Sequence, residues 1–255
     1  MTHHVQHNRY ARQVAVPVFG ENAQAILSKS TLAIVGCGAL GSLAADLLTR
    51  MGIHALRIAD NDRVSEQNLH RQLLFTEEDA NQQRSKAQVA AKRLLERNHA
   101  LGLRALHARI DASNMDDFIA GCDLVLDATD NSETRFLLND RCMALRIPWI
   151  YTGVSATAGL VLPIFPDRGP CLRCLYPDAL HKEDIAHPDH EGILPTTVVQ
   201  AVSFQVAAAI KLLTGQQPSG ELIRFDSWIP SVRTVRLHQR IACPALHAHK
   251  ESVHD

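Results

Sequence analysis

Thr31–Ser42 reads TLAIVGCGALGS, a short apolar run with three glycines, Gly36, Gly38 and Gly41, directly behind it. Apolar residues feeding a GxGxxG loop predict a buried strand over 31–35, a tight turn, and a helix whose N-terminus faces an anion. Gly36 lets the chain turn, Gly38 leaves a phosphate room to approach the backbone, and Gly41 lets the helix pack against the strand. The stretch predicts a nucleotide-binding α/β fold, a Rossmann-like, mostly parallel sheet with helices on both faces. It leaves open which nucleotide is bound.

Working outward, the helix is predicted from 39 to 51, where Gly52 ends it, and a second strand over 54–59 closes on Asp60, Asn61 and Asp62. An acidic residue about 20 positions after the glycine loop, at the tip of the second strand, is placed for a ribose hydroxyl, which NAD and ATP share. Next comes VSEQNLHRQLLF over 64–75, holding Asn68, Arg71 and Gln72, and a predicted helix from Lys86 to Arg97. Arg71 and Lys86 are cations able to meet a triphosphate if this segment folds back over the loop; as isolated charges each also reads as a surface residue.

DLVLD over 123–127 has the apolar character of a buried parallel strand. It leads into Ala128, Thr129, Asp130 and Asn131 and a helix to about 145. Asp130 reads either as a magnesium ligand at the ligand crevice or as the N-cap of that helix. Further strands are predicted at 148–152, 158–164, 221–225 and 231–237, the C-terminal ones antiparallel, with a long amphipathic helix over 196–215. Cys171 and Cys174 form a CxxC, and 176–192 reads as an exposed loop whose His181, His187 and His190 are solvated. Before the first strand, NRYARQ over 8–13 reads as a solvated basic face carrying Arg9 and Arg12, with a short helix at 21–29.

The 255 residues balance 26 basic against 27 acidic side chains, so no bulk field recruits nucleic acid or an anionic membrane. A polar N-terminus, and no run read as approaching a membrane span of about 20 apolar residues, predict a cytoplasmic protein. Hydrophobic residues make up 46%, enough for a sizeable core, and six cysteines suggest metal or thiol chemistry more than a disulfide framework.

In order, RYARQ, GCGALG, DNDRVSEQNLHRQ, Lys86, DATDN, CLRC and the helix ending KLLTG resemble the ThiF/MoeB/HesA family, prokaryotic relatives of ubiquitin-activating enzymes, from about Arg9 to Cys243. LFTEED and CLYPD look more like ThiF than MoeB. The resemblance implies one adenylation domain over 1–255: a helical segment at about 8–30, a nucleotide-binding core at 31–165, the CxxC and crossover loop at 166–195, the long helix and last strands at 196–243, and a tail at 244–255. It implies adenylation, by Mg2+ and ATP, of the C-terminal glycine carboxylate of a ubiquitin-like sulfur-carrier protein ending in Gly-Gly. Gly36, Gly38, Gly41, Asp60, Asp62, Asn68, Gln72 and Asn131 would border the nucleotide, Arg71 and Lys86 would contact phosphates, and Asp130 would hold Mg2+. Arg12 would reach the site of a neighbouring subunit, implying a homodimer. A separate sulfur donor, such as a cysteine desulfurase or rhodanese, would follow.

Two departures stand out. The family's zinc site uses two CxxC pairs, but here Cys243 has Leu246 in its partner position, so Zn2+ would need His247, or failing it His249, beside Cys171, Cys174 and Cys243, or the site is metal-free. The stretch 176–214 contains no cysteine, which excludes a covalent carrier intermediate there by residue type. Cys37, Cys122 and Cys142 read as packing residues. The alternatives are a non-catalytic relative acting as a binding partner, a peptide-adenylating enzyme, and an NAD-dependent oxidoreductase that would leave Arg12, Arg71, Lys86 and Asp130 without a role.

Overall fold

The computed structural model of the chain describes residues 3–177, 192–240 and 243, with side chains from residue 9 onward. In chain order the elements are α1 (His3–Val14), α2 (Gly20–Leu27), β1 (Thr31–Val35), α3 (Ala39–Met51), β2 (Ala55–Ala59), α4 (Glu77–Asn81), α5 (Lys86–Arg97), β3 (Gly102–Leu106) and α6 (Met115–Ile119). They continue with β4 (Leu124–Asp127), α7 (Ser132–Ala144), β5 (Trp149–Ser155), β6 (Ala158–Ile164), α8 (Leu172–Leu175), α9 (Pro195–Leu213), β7 (Glu221–Asp226) and β8 (Ser231–Arg236). Gly52 stops α3 in the left-handed region at φ 86°, which spares any side chain that strain.

Among the described residues the strands form one sheet in the order β3-β2-β1-β4-β5-β6-β7-β8. The run from β3 to β5 is parallel, and β6, β7 and β8 are added antiparallel. The sequence-based expectation of a mostly parallel sheet with C-terminal antiparallel strands therefore holds. Chain order reverses at β1, which has β2 on one side and β4 on the other, and a crevice opens there beyond the strands' carboxyl ends. Alternation along β1 sends Leu32 and Ile34 into a core shared with α3, α5 and α9, and Ala33 and Val35 into one shared with α6, α7 and α8. Each fully buried Leu or Ile contributes about 1.5–3 kcal/mol, so the two cores anchor the center of the sheet.

Three features differ from the sequence reading. The sequence pattern predicts no element over 98–122, where β3 and α6 lie; GLRAL sits at the sheet edge with partly exposed residues and lacks the apolar run of a central strand. The one-turn α8 and the short α4 are too brief for periodicity to register. α9, at 19 residues and mean hydropathy 1.4, is long and apolar enough to cross a membrane, contrary to the expectation that no run approaches that length. Here it is a core helix, burying Val198, Ala201, Val202, Val206 and Ala209 against the sheet and α3. The His-rich loop's His181, His187 and His190, and the tail beyond Cys243, lie outside the described residues.

The excursion from β2 to α5 is held by one buried carboxylate. Asp79 is 1% exposed. It accepts from the N–H and hydroxyl of Thr76 at 2.9 and 2.8 Å, completing a capping box, and from Arg84 at 2.9 Å and from Arg93. Burial opposes its charge, but the Thr76 and Arg84 hydrogen bonds and the Arg93 charge outweigh that and hold the carboxyl below its usual range. A lowered folded-state pKa gives stability that is present above the ordinary carboxylate pKa and lost as pH falls through the folded one. Asp79→Ala is expected to cost about 1–3 kcal/mol at pH 7. Urea unfolding should show the gap from wild type narrowing as the solution is acidified.

Candidate functional site

The ends of β1, β2 and β4 border a cavity of about 510 Å³ at the reversal point. Gly36 turns there at φ 97°, and a side chain on it would meet the Ala128 carbonyl oxygen at 2.4 Å. One on Gly41 would lie 2.0 Å from the Gly36 carbonyl oxygen, so α3 reaches β1 only because Gly41 has none. At Gly38 the nearest atom to an added Cβ is Gln72 Nε2, at 3.6 Å. That is an ordinary contact distance, and Gly38 itself lines the cavity.

Asp60, at the tip of β2, takes the Cys37 N–H on one oxygen at 2.6 Å and the Asp62 N–H on the other at 2.7 Å. Burial raises its pKa, against the pull of Lys86 and those two N–H groups. Asp60 thus props the glycine loop while lining the cavity. Lys86, at the start of α5, has a buried side chain whose ammonium donates to Asp62 Oδ2 at 2.8 Å. Asn68 and Arg71 come from the 3-10 turn at Glu66–Asn68 and the residues after it. Arg71 Nη2 donates to Asn68 Oδ1 at 2.7 Å, and Asn68 Nδ2 to Ser65 Oγ at 2.7 Å. Gln72 is 4% exposed and its Oε1 has no hydrogen-bond partner among the described residues.

On the opposite wall, Asp130 is exposed at the cavity. It is not the cap of α7. Asn131 is, its side-chain oxygen accepting the Thr134 N–H at 2.9 Å, which corrects the capping alternative for Asp130. Asn131 still borders the cavity, but that oxygen is committed to the helix; its amide nitrogen lies 3.4 Å from Asp130 Oδ1. Of the residues singled out from sequence, the structure brings the glycine loop, Asp60, Asp62, Asn68, Arg71, Gln72, Lys86, Asp130 and Asn131 to one space. Arg12 is not among the cavity's lining residues; it is exposed on α1. That helix is docked by Tyr10 against Gly52 and by Gln13 Nε2 donating to the Met51 carbonyl at 2.9 Å.

Sequence reasoning missed Arg109 and Arg135, which also line the cavity, and the buried Asp127 beneath it. Arg109 follows β3, the strand that was not foreseen. Arg135 lies within α7, four residues past the N-cap, and nothing in its spacing separates it from a surface charge.

Away from the cavity, the sulfurs of Cys171, Cys174 and Cys243 lie within 4.8 Å of one another. Burial and the neighbouring Cys243 and Cys174 push the Cys171 thiol up to about 12. Burial also opposes ionisation of Cys174, but the backbone N–H groups of Arg240 and Cys171 outweigh it and lower that thiol. Three converging thiols suit the sulfur donor set of Zn2+; His247 lies outside the described residues. Cys37, Cys122 and Cys142 are buried, and burial raises the pKa of each, as packing residues require.

The ThiF family profile matches residues 10–245. The chain is 36% identical over 239 residues to the sulfur carrier protein ThiS adenylyltransferase of Bacillus subtilis, spanning 93% of this chain and 70% of that protein. It is equally 36% identical over 239 residues to the protein of that name from Escherichia coli, spanning 92% and 93%. The crystal structure of E. coli MccB with ATP matches at a TM-score of 0.79 and 21% identity, over 93% of this chain and 74% of that one, a likeness of fold. With the profile covering all but the ends of the chain, and the glycine loop and its facing charges in one cavity, this protein belongs to the ThiF family.

Proposed function

We propose that the chain catalyses ATP-dependent adenylation of the C-terminal glycine carboxylate of a ubiquitin-like sulfur-carrier protein, releasing pyrophosphate. The observation that carries this reading is the convergence of Lys86, Arg71, Asn68 and Asp130 on the cavity bordered by the glycine loop. A nicotinamide reaction has no use for that set, whereas attack of one anion on another depends on it. The relatives' names supply the carrier as the acceptor.

The glycine carboxylate is ionised at neutral pH and needs no base. Its oxygen forms a bond to the α-phosphorus as the bond to the pyrophosphate oxygen breaks, so the barrier is repulsion and the charge of the leaving group. In this reading Gly36, Gly38 and Gly41 admit the phosphates, and Asp60 and Asp62 border the ribose. Asn68, Arg71 and Lys86 face the phosphates, with Gln72 and Asn131 beside them. Lys86 is already desolvated, so its charge acts in a medium of low dielectric. Asp130 is left out of the α7 cap and faces the cavity, which suits a carboxylate that holds Mg2+. Bound there, the ion would neutralise phosphate charge.

Arg12, exposed on α1 and outside its own chain's cavity, suits a homodimer in which it completes the partner's site. With no cysteine over 176–214, the reaction stops at the acyl-adenylate, and a separate donor such as a cysteine desulfurase or rhodanese provides sulfur. Cys171, Cys174, Cys243 and His247 would hold a structural Zn2+. A single domain over 1–255 working in the cytoplasm accords with this chemistry.

ATP–pyrophosphate exchange is expected with a carrier ending in Gly-Gly and to vanish when the terminal glycine is deleted. Binding of Mg2+–ATP without exchange for any carrier would reject the reading. Arg12→Ala and Asp130→Ala should each lower exchange by about 10²–10³-fold without unfolding the protein. Mixed and re-equilibrated, the two variants should recover about a quarter of wild-type activity, because half the dimers then hold one intact composite site; no recovery would count against a shared site. Purified protein should carry one Zn2+ per chain, and Cys243→Ser should lose it.

A further inference from the structure

Arg135 lines the nucleotide cavity, yet its guanidinium is turned toward protein groups. Nη2 donates to the Thr129 carbonyl at 2.6 Å. Nε stands 3.4 Å from Asp127 Oδ2, an ion-pair distance, and neither atom has a hydrogen bond among the described residues. The other Asp127 oxygen accepts from the Thr129 N–H at 2.9 Å and hydroxyl at 2.7 Å. One guanidinium therefore hydrogen-bonds one end of the turn that leads to Asp130 and is ion-paired with the other. Gln205 Nε2, from α9, donates to the Asp127 carbonyl at 2.8 Å, and Ala128 abuts Gly36. Behind Arg135, the Tyr151 ring lies 5.6 Å from the guanidinium carbon, and its hydroxyl meets that of Tyr176 at 3.0 Å.

Stability does not account for such a pair. Arg135 and Asp127 are 3% and 0% exposed. Removing two charges from water is costly, which their attraction offsets only with good geometry, and apolar residues often fill such a space at no loss. What apolar residues would not do is satisfy the buried turn and fix its direction.

We propose that Arg135 is a positioning residue for the adenylation reaction: with Asp127 it clamps the 127–129 turn so that the Asp130 carboxylate is presented to the nucleotide. This rests on the reading of Asp130 as the carboxylate that holds the divalent ion. Arg135 acts through that carboxylate and makes no contact with ATP.

The test is Mn2+ binding to the full-length enzyme–ATP complex, followed by electron paramagnetic resonance, beside ATP binding in EDTA and thermal unfolding. Arg135→Lys keeps the charge, but a single ammonium lacks the fork that reaches Thr129 and Asp127 together. The double variant D127N/R135Q removes both charges and leaves no buried ion unpaired. Both variants are expected to fold and to bind ATP in EDTA as wild type does. Their Mn2+ affinity should fall about 10–100-fold, the usual effect of disturbing the groups behind a metal ligand, and exchange should recover in part at high Mg2+. Wild-type Mn2+ affinity in a folded Arg135→Lys protein would overturn the proposal. So would a loss of ATP affinity in EDTA, which would put the guanidinium on the nucleotide. If wild type binds Mn2+–ATP but exchanges with no carrier, the adenylation reading fails while the Mn2+ comparison still decides the role of Arg135.

Discussion

The site depends on strand ends tied to one another by backbone contacts too close for any side chain. The Gly36 and Gly41 positions sit where an added Cβ would strike a carbonyl oxygen at 2.4 and 2.0 Å, which brings β1, α3 and the turn after β4 into one tight joint. Asp60 extends the joint to β2 through its bond from the Cys37 N–H. In the proposed reading, a phosphate entering here meets a loop whose shape these contacts have already set. The arrangement reduces what must be ordered when ligand binds.

Charge is distributed over that frame by elements far apart in the chain. Lys86 is buried at the start of one helix and balanced by Asp62 from the end of a strand, while Arg71 is steadied by Asn68 on the same turn. Asp79, clamped between Arg84 and Arg93, keeps the intervening excursion folded so that these groups share a wall. The facing wall is built differently: an Asx cap by Asn131 starts α7 and leaves Asp130 to the cavity. Cations and carboxylates thus meet around one cavity, which in the proposed reading suits a triphosphate with a divalent ion.

Much of this was legible because it is written in local pattern. Central strands such as TLAIV and DLVLD declare themselves by unbroken apolar runs, since both faces of a parallel strand are buried. Glycines at fixed spacing reveal a turn, and the helices at Ala39–Met51 and Lys86–Arg97 begin and end at the predicted residues. The GLRAL strand was not legible: at an edge, partly exposed, it lacks any such run. α9 illustrates the reverse error, because a helix covered by a sheet on one side and by other helices along its flank carries the same apolar length as a membrane span.

The sequence alone determined the glycine loop and the parallel core, because strand burial and glycine geometry constrain neighbours along the chain, while the charged residues proposed for the reaction were picked out by the resemblance of their motifs to the family. Tertiary structure decided how those residues are used. That Asn131 and not Asp130 caps α7, that Asp60 braces the glycine loop, and that Arg135 is spent on a buried turn all follow from hydrogen bonds across sequence gaps of three to two dozen residues. Such bonds depend on which side chains are left facing one another once the sheet has formed, and local spacing carries no record of that.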